Sequence, residues 1–186
     1  MSPDKDKYLC AKFPKLFAER YLSPMQTTMC WGFEHGDGWF NIIELLCENI
    51  QHYIDHKNED RERAIKHNKA IEEALDGNWD SFNEYWKFLS EESLTKEKEG
   101  LSRERLRSVP EETAQVVVNQ VKEKYGTLRF YYTGGDDYID GLVSMAEAMT
   151  ARTCERCGNP GSSNGGGWIS VRCNPCRDSQ NSRSQE

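Results

Sequence analysis

Apolar positions recur along the chain with a helical period in its first half, then with a period of two, then helically again. Leu9, Phe13, Leu16, Phe17 and Tyr21 predict a short amphipathic helix over Tyr8 to Tyr21, with Pro14 in its first turn and Ser23-Pro24 at its end. From Phe40, the residues Ile43, Leu46, Cys47, Ile50, Tyr53 and Ile54 keep to one stripe, which predicts a helix of about four turns. A second charged helix is expected from Glu59 to Leu75, stopped by Asp76-Gly77. A third, Trp79 to Leu89, sets Phe82, Tyr85, Trp86 and Leu89 on one face. Residues 91–113 are charge-rich and carry Gly100 and Pro110, so they read as a mobile segment or an exposed helix.

The pattern then changes. Gln115 to Tyr125 is rich in valine, and in Thr127 to Tyr132 the residues Leu128, Phe130 and Tyr132 alternate with polar ones. Two such runs around Gly126 predict an antiparallel hairpin. Gly134-Gly135-Asp136-Asp137 opens a last helix with the stripe Ile139, Leu142, Val143, Ala146 and Met149, capped by Asp136 or Asp137. Gly167 to Arg172 reads as a strand that delivers Cys173, and Asp178 to Glu186 as a disordered tail. The expected fold is α+β: N-terminal helices and an antiparallel hairpin in a core domain over residues 1–150, a small module over 151–177, and a tail over 178–186.

Cysteine spacing adds chemistry to this outline. Cys154-Glu-Arg-Cys157 and Cys173-Asn-Pro-Cys176 are separated by 15 residues, the spacing of a closed four-thiolate zinc site in a zinc-ribbon-like module. Each couplet turns back on itself so that two sulfurs can face one ion, and Gly158, Pro160 and Gly161 supply the turn after the first. Four thiolates fill a tetrahedron, so the site reads as structural; a pair of disulfides or a redox motif is the alternative. Cys10, Cys30 and Cys47 make the count odd, no charged-then-apolar leader precedes them, and no window approaches a membrane span. A soluble protein of a reducing cytoplasm is expected.

A formal net charge of -7 opposes nonspecific binding to phosphate backbones. The arginines beyond Cys154 and the cluster Tyr131, Tyr132 and Tyr138 with Lys122, Lys124 and Arg129 leave a nucleic-acid contact open, beside the simpler reading of a hairpin surface. For catalysis the candidates are Glu34, His35 and Asp37, four residues apart at most, and Asp136, which with Asp137 and Asp140 could hold magnesium. Turn hydrogen bonding, aromatic packing and helix capping predict the same residue types. His52 and His56 stand one helical turn apart, as two imidazoles sharing a metal would, but without the glutamate of the zincin motif. No nucleophile elbow, phosphate loop or dinucleotide fingerprint is found.

Three segments, Cys30-Trp-Gly-Phe-Glu-His-Gly-Asp-Gly-Trp-Phe40, Gln120-Val-Lys-Glu-Lys-Tyr-Gly-Thr-Leu-Arg-Phe-Tyr-Tyr132 and Ala146 through Cys157-Gly-Asn-Pro-Gly161, resemble a family of small accessory proteins of tailed bacteriophages. The resemblance covers the N-terminal third and the last 70 or so residues. It implies no catalytic residues. It implies expression in the cytoplasm of an infected bacterium and a role against a host factor, and it would place a cysteine where His35 stands, which raises a second metal site with Cys30. The expected function is a non-enzymatic, zinc-stabilised protein that binds and occludes a bacterial host protein, as an anti-CRISPR-like or other antagonist of antiviral defence. A nucleic-acid-binding protein and a metal-dependent nuclease are the alternatives.

Overall fold

The first helix ends where the sequence forbids it to continue. In the computed structural model, which describes residues 1–165, 167 and 169–183, α1 spans Pro3–Lys12, with Pro3 at its start and Asp4 and Asp6 in its first turn. It was expected over Tyr8 to Tyr21. The proline ring of Pro14 disfavours helical backbone at Phe13, which takes φ -125°. Leu16 and Phe17 are nevertheless buried, from consecutive turns rather than a helix.

The two helices expected from Phe40 and Glu59 are one, α2 (Phe40–Leu75), because residues 55–59 contain neither glycine nor proline to stop it. The chain divides into two compact units, and the division falls within this helix: Met1–Ile54 with the chain from Ala114 onward, and Asp55–Thr113. Residues 151–177, the small module expected after the core domain, belong to the first unit.

The first unit mixes helix and strand around a small sheet, with a four-cysteine cluster at its C-terminal end. The expected hairpin is present as β2 (Val117–Lys124) and β3 (Thr127–Thr133), antiparallel, with Tyr125 and Gly126 at φ 55° and 80°. Two successive left-handed residues match the twist of the flanking strands, which is why glycine stands there. A third strand that periodicity did not reveal, β1 (Phe33–Glu34), pairs in parallel with β2 through Phe33↔Val121 and Glu34↔Lys122. At two residues it is too short to carry an alternation.

The outer edge of β3 is closed by α5 (Asp137–Thr150): Thr150 Oγ1 accepts from Leu128 N (2.9 Å) and Glu147 Oε1 from Phe130 N (3.0 Å). Asp136 caps α5, accepting from the N–H groups of Tyr138 and Ile139. Leu9, Leu16, Trp39, Ile43, Ile50, Val121, Leu128 and Ile139 meet in one core.

The second unit has its own core of Ala70, Ile71, Ala74, Phe82 and Trp86, with α3 (Asp80–Tyr85) and α4 (Glu91–Glu99). Ser90 caps α4, which buries no residue completely, so the exposed-helix reading of 91–113 holds for its first third. The remainder is a strap tied along its length: Asn58 bonds Thr113 in both directions (3.0 and 3.0 Å), Asn68 bonds Arg107 in both directions (2.8 and 2.8 Å), and Arg61 donates to Pro110 O (2.8 Å). Among the described residues no helix is long and apolar enough to cross a membrane.

Candidate metal centre

Both couplets are shaped by the backbone around them before any ion is considered. Beyond α5 the chain pairs with itself at Thr153↔Pro160, and inside that bridge Cys154 N donates to Asn159 O (2.8 Å) while Gly158 N returns to Cys154 O (2.9 Å). Gly158 takes φ +79°, so the loop folds back over Cys154 and turns the Cys157 sulfur toward it. A short hairpin follows, β4 (Ser162–Ser163) with β5 (Val171–Arg172), and Glu155 N donates to Val171 O at 3.1 Å. Cys173 then precedes α6 (Asn174–Arg183), whose first turn carries Cys176. The second couplet therefore sits at a helix start. Asp178 to Arg183, expected as disordered, continue this helix; 184–186 lie outside the described residues, as does Trp168 in the expected strand.

The four sulfurs all lie within 4.8 Å of one another, and Cys157 and Cys173 are 3.5 Å apart. Cys154 and Cys173 are buried, Cys176 is half-buried and Cys157 is exposed. Burial works against ionisation of Cys154, yet the N–H groups of Cys173, Cys157 and Arg156 directed at its sulfur bring its pKa down to about 6. Cys176 is pushed the other way, to about 12, by hydrogen bonding with the sulfurs of Cys173 and Cys157 and by burial. A bound cation favours thiolates among sulfurs clustered in this way. The set could hold a metal ion.

The centre is joined to the glycine-rich aromatic turn more than a hundred residues earlier. Gly38 N donates to Glu155 O (2.7 Å), Gly36 N to the Glu155 carboxylate (2.9 Å), and the Trp39 indole N–H to Thr153 O (3.0 Å). A Cβ at Gly38 would lie 2.1 Å from Cys154 O, and one at Gly36 would lie 2.5 Å from Glu155 O. The hairpin tip closes a second side, since a Cβ on Gly126 would stand 3.2 Å from Ile169 Cγ2. Gly36 and Gly38 permit backbone-to-backbone contact, and Gly126 makes room for the Ile169 side chain. Gly36, Trp39 and Glu155 were missed as site residues; the only sequence signal was a glycine pair flanking Asp37 among large aromatics.

The catalytic candidates are engaged in other contacts. Glu34 Oε2 accepts from Gln120 Nε2 (3.1 Å). His35, 7% exposed, stacks on Trp39 at 5.6 Å and bonds Gly36 O through Nδ1 (2.8 Å), while Nε2 has no partner. Asp37 accepts from Ser2 N (2.6 Å), the main cause of its lowered pKa, and pairs with Lys5 at 3.4 Å. Asp136 receives the Tyr53 hydroxyl (2.7 Å) besides capping α5, and Asp140 takes that of Tyr132. His56 faces Asp60 at 3.2 Å. Among the described residues the four cysteines are the one group of three or more ligating side chains, so neither Cys30 with His35 nor His52 with His56 gains a third ligand.

On the hairpin surface, Lys122 lies over the Tyr131 ring (5.5 Å) and is the register partner of Glu34, and Arg129 pairs with Glu147 (3.5 Å). Pairing of Arg129 with a carboxylate weakens the case for a phosphate track there. No protein-family model, curated protein or solved structure matches the chain.

Proposed function

We propose that this chain is a non-enzymatic binding protein, fastened at its C-terminal end by one structural zinc ion, that occludes a surface of a bacterial host protein. The observation that carries the reading is the sulfur geometry. Zinc–sulfur bonds of about 2.3 Å set the corners of a tetrahedral site about 3.8 Å apart, and the four sulfurs already lie within 4.8 Å of one another. An all-thiolate tetrahedral set selects zinc over the oxygen-seeking divalent ions, and it leaves no position for a reacting water. Binding rather than turnover is further supported by the engagement of Glu34, His35, Asp37 and Asp136 in turns, packing and caps.

The three segments that resemble tailed-phage accessory proteins all lie in the first unit and meet at the metal centre. Residues 55–113, which contain none of those segments, carry sixteen carboxylates against eleven cations and so most of the net charge of -7. We assign target contact to this unit. An acidic surface is steered toward a basic groove, such as one that a defence protein uses for nucleic acid.

The test is capture from bacterial host lysate by the full zinc-loaded chain, followed by association kinetics of the captured protein at several salt concentrations. One dominant host protein whose association slows as salt rises is expected. Magnesium-dependent cleavage of plasmid that disappears in Asp136→Ala, with the fold kept, would replace this reading by the nuclease one.

A further inference from the structure

The metal centre is covered by the aromatic turn and by the hairpin tip, but not at Cys157. Cys154 and Cys173 are buried, the first beneath the contacts to Gly36, Gly38 and Trp39, whereas Cys157 is exposed. The exposed sulfur lies 3.5 Å from Cys173 Sγ. Resting on the zinc reading above, we propose that Cys157 is the site at which a peroxide oxidises this protein, and that a Cys157–Cys173 disulfide forms, releases the metal and loosens the turn docked on it.

Electrons and atoms balance in two steps. The Cys157 thiolate attacks one peroxide oxygen, the O–O bond breaks, and a sulfenic acid forms while hydroxide leaves and takes a proton to become water. The Cys173 thiolate then attacks the Cys157 sulfur, the S–O bond breaks, and the second hydroxide leaves as water after taking a proton. Two electrons pass from two thiolates to one peroxide. Bond formation draws the sulfurs from 3.5 Å to about 2.05 Å. Cys154 and Cys176 remain as the only ligands, too few to retain zinc against a chelator.

The other cysteines are poor competitors. Cys10 and Cys47 are buried in the core, and burial pushes the Cys10 thiol up to about 12. Cys30 is half-buried and belongs to no group of three or more ligating side chains among the described residues.

The experiment uses the full chain as isolated, with its zinc content measured first. Hydrogen peroxide is titrated in, released zinc is read with a chromogenic chelator, and thiols are mapped by alkylation and peptide mass spectrometry. One zinc is expected per Cys157–Cys173 disulfide, with Cys157 losing its thiol at least about tenfold faster than Cys154 or Cys30. Tryptophan fluorescence, to which Trp39 contributes, should change in step with release, and a thiol reductant with added zinc should restore it. First loss at Cys10, Cys30, Cys47 or Cys154, or a disulfide that leaves zinc bound, would overturn the proposal while leaving the zinc site standing. A chain isolated without zinc would instead remove the reading on which it rests. Because all readouts come from the unsubstituted chain, no cysteine variant has to fold.

Discussion

Gly38 stands where a side chain has no room: its Cβ would lie 2.1 Å from Cys154 O and 2.5 Å from Gly158 N, both rigid backbone atoms. Gly38→Ala is expected to cost about 3 kcal/mol or to undock the turn, as overpacking against backbone does. Gly141, inside α5 with nothing within 4 Å of its Cβ position, is the contrasting case. Gly141→Ala should add about 1 kcal/mol from helix propensity. Urea unfolding of both variants measures the pair; equal effects would contradict the docking geometry. His35 makes a second residue-level test, because burial lowers its pKa from 6.5 to about 4. The fold favours the neutral ring, so this contribution is complete above pH 6.5 and is lost as the pH falls toward about 4, where folded and unfolded chains bind the proton alike. The loss should be on the order of 3 kcal/mol. Thiolate protonation acts in acid as well, so the comparison is between metal-loaded protein and His35→Phe, which should lack the His35 share; parallel stability curves would show that the ring is not held neutral.

At the scale of elements, Thr150 and Asp136 carry the clearest expectations. Thr150 is buried and its hydroxyl closes the open edge of β3 at Leu128 N. Thr150→Val keeps the volume but orphans that amide, which should lower stability by about 1–3 kcal/mol in thermal or urea unfolding. Asp136→Ala removes a cap and the Tyr53 hydrogen bond and should cost about 1 kcal/mol without altering binding of a host partner. The stripe of α5, the hairpin turn and the cysteine couplets were legible because each is a local pattern with a local cause. The merger of two expected helices into α2 was not, since the stripe weakens across residues 55–63 although no residue breaks the helix. Nor was the displacement of α1, where the apolar residues from Phe13 to Phe17 keep helical spacing while packing from turns. The second half of the metal centre escaped for another reason. Glu155 and Gly38 meet through backbone atoms, and a backbone contact leaves in the sequence only the absence of a side chain.

For the molecule as a whole, the two units are expected to separate two tasks: the metal-fastened first unit holds the fold, and the acidic second unit meets the target. Glu72 is exposed, so Glu72→Lys should slow association with a captured host protein and lessen its salt dependence while leaving stability within about 0.5 kcal/mol. Glu73 does not serve for that test, because its carboxylate accepts the Ser81 hydroxyl and pairs with Lys69 at 3.7 Å. The clamp between the metal centre and the aromatic turn is the central claim, and amide hydrogen exchange with and without the metal tests it most directly. Chelation should speed exchange at Gly36, at Gly38 and across residues 152–161, and leave protection around Ala70, Ile71 and Phe82 unchanged. Exchange at Gly36 and Gly38 that is indifferent to the metal would contradict the clamp.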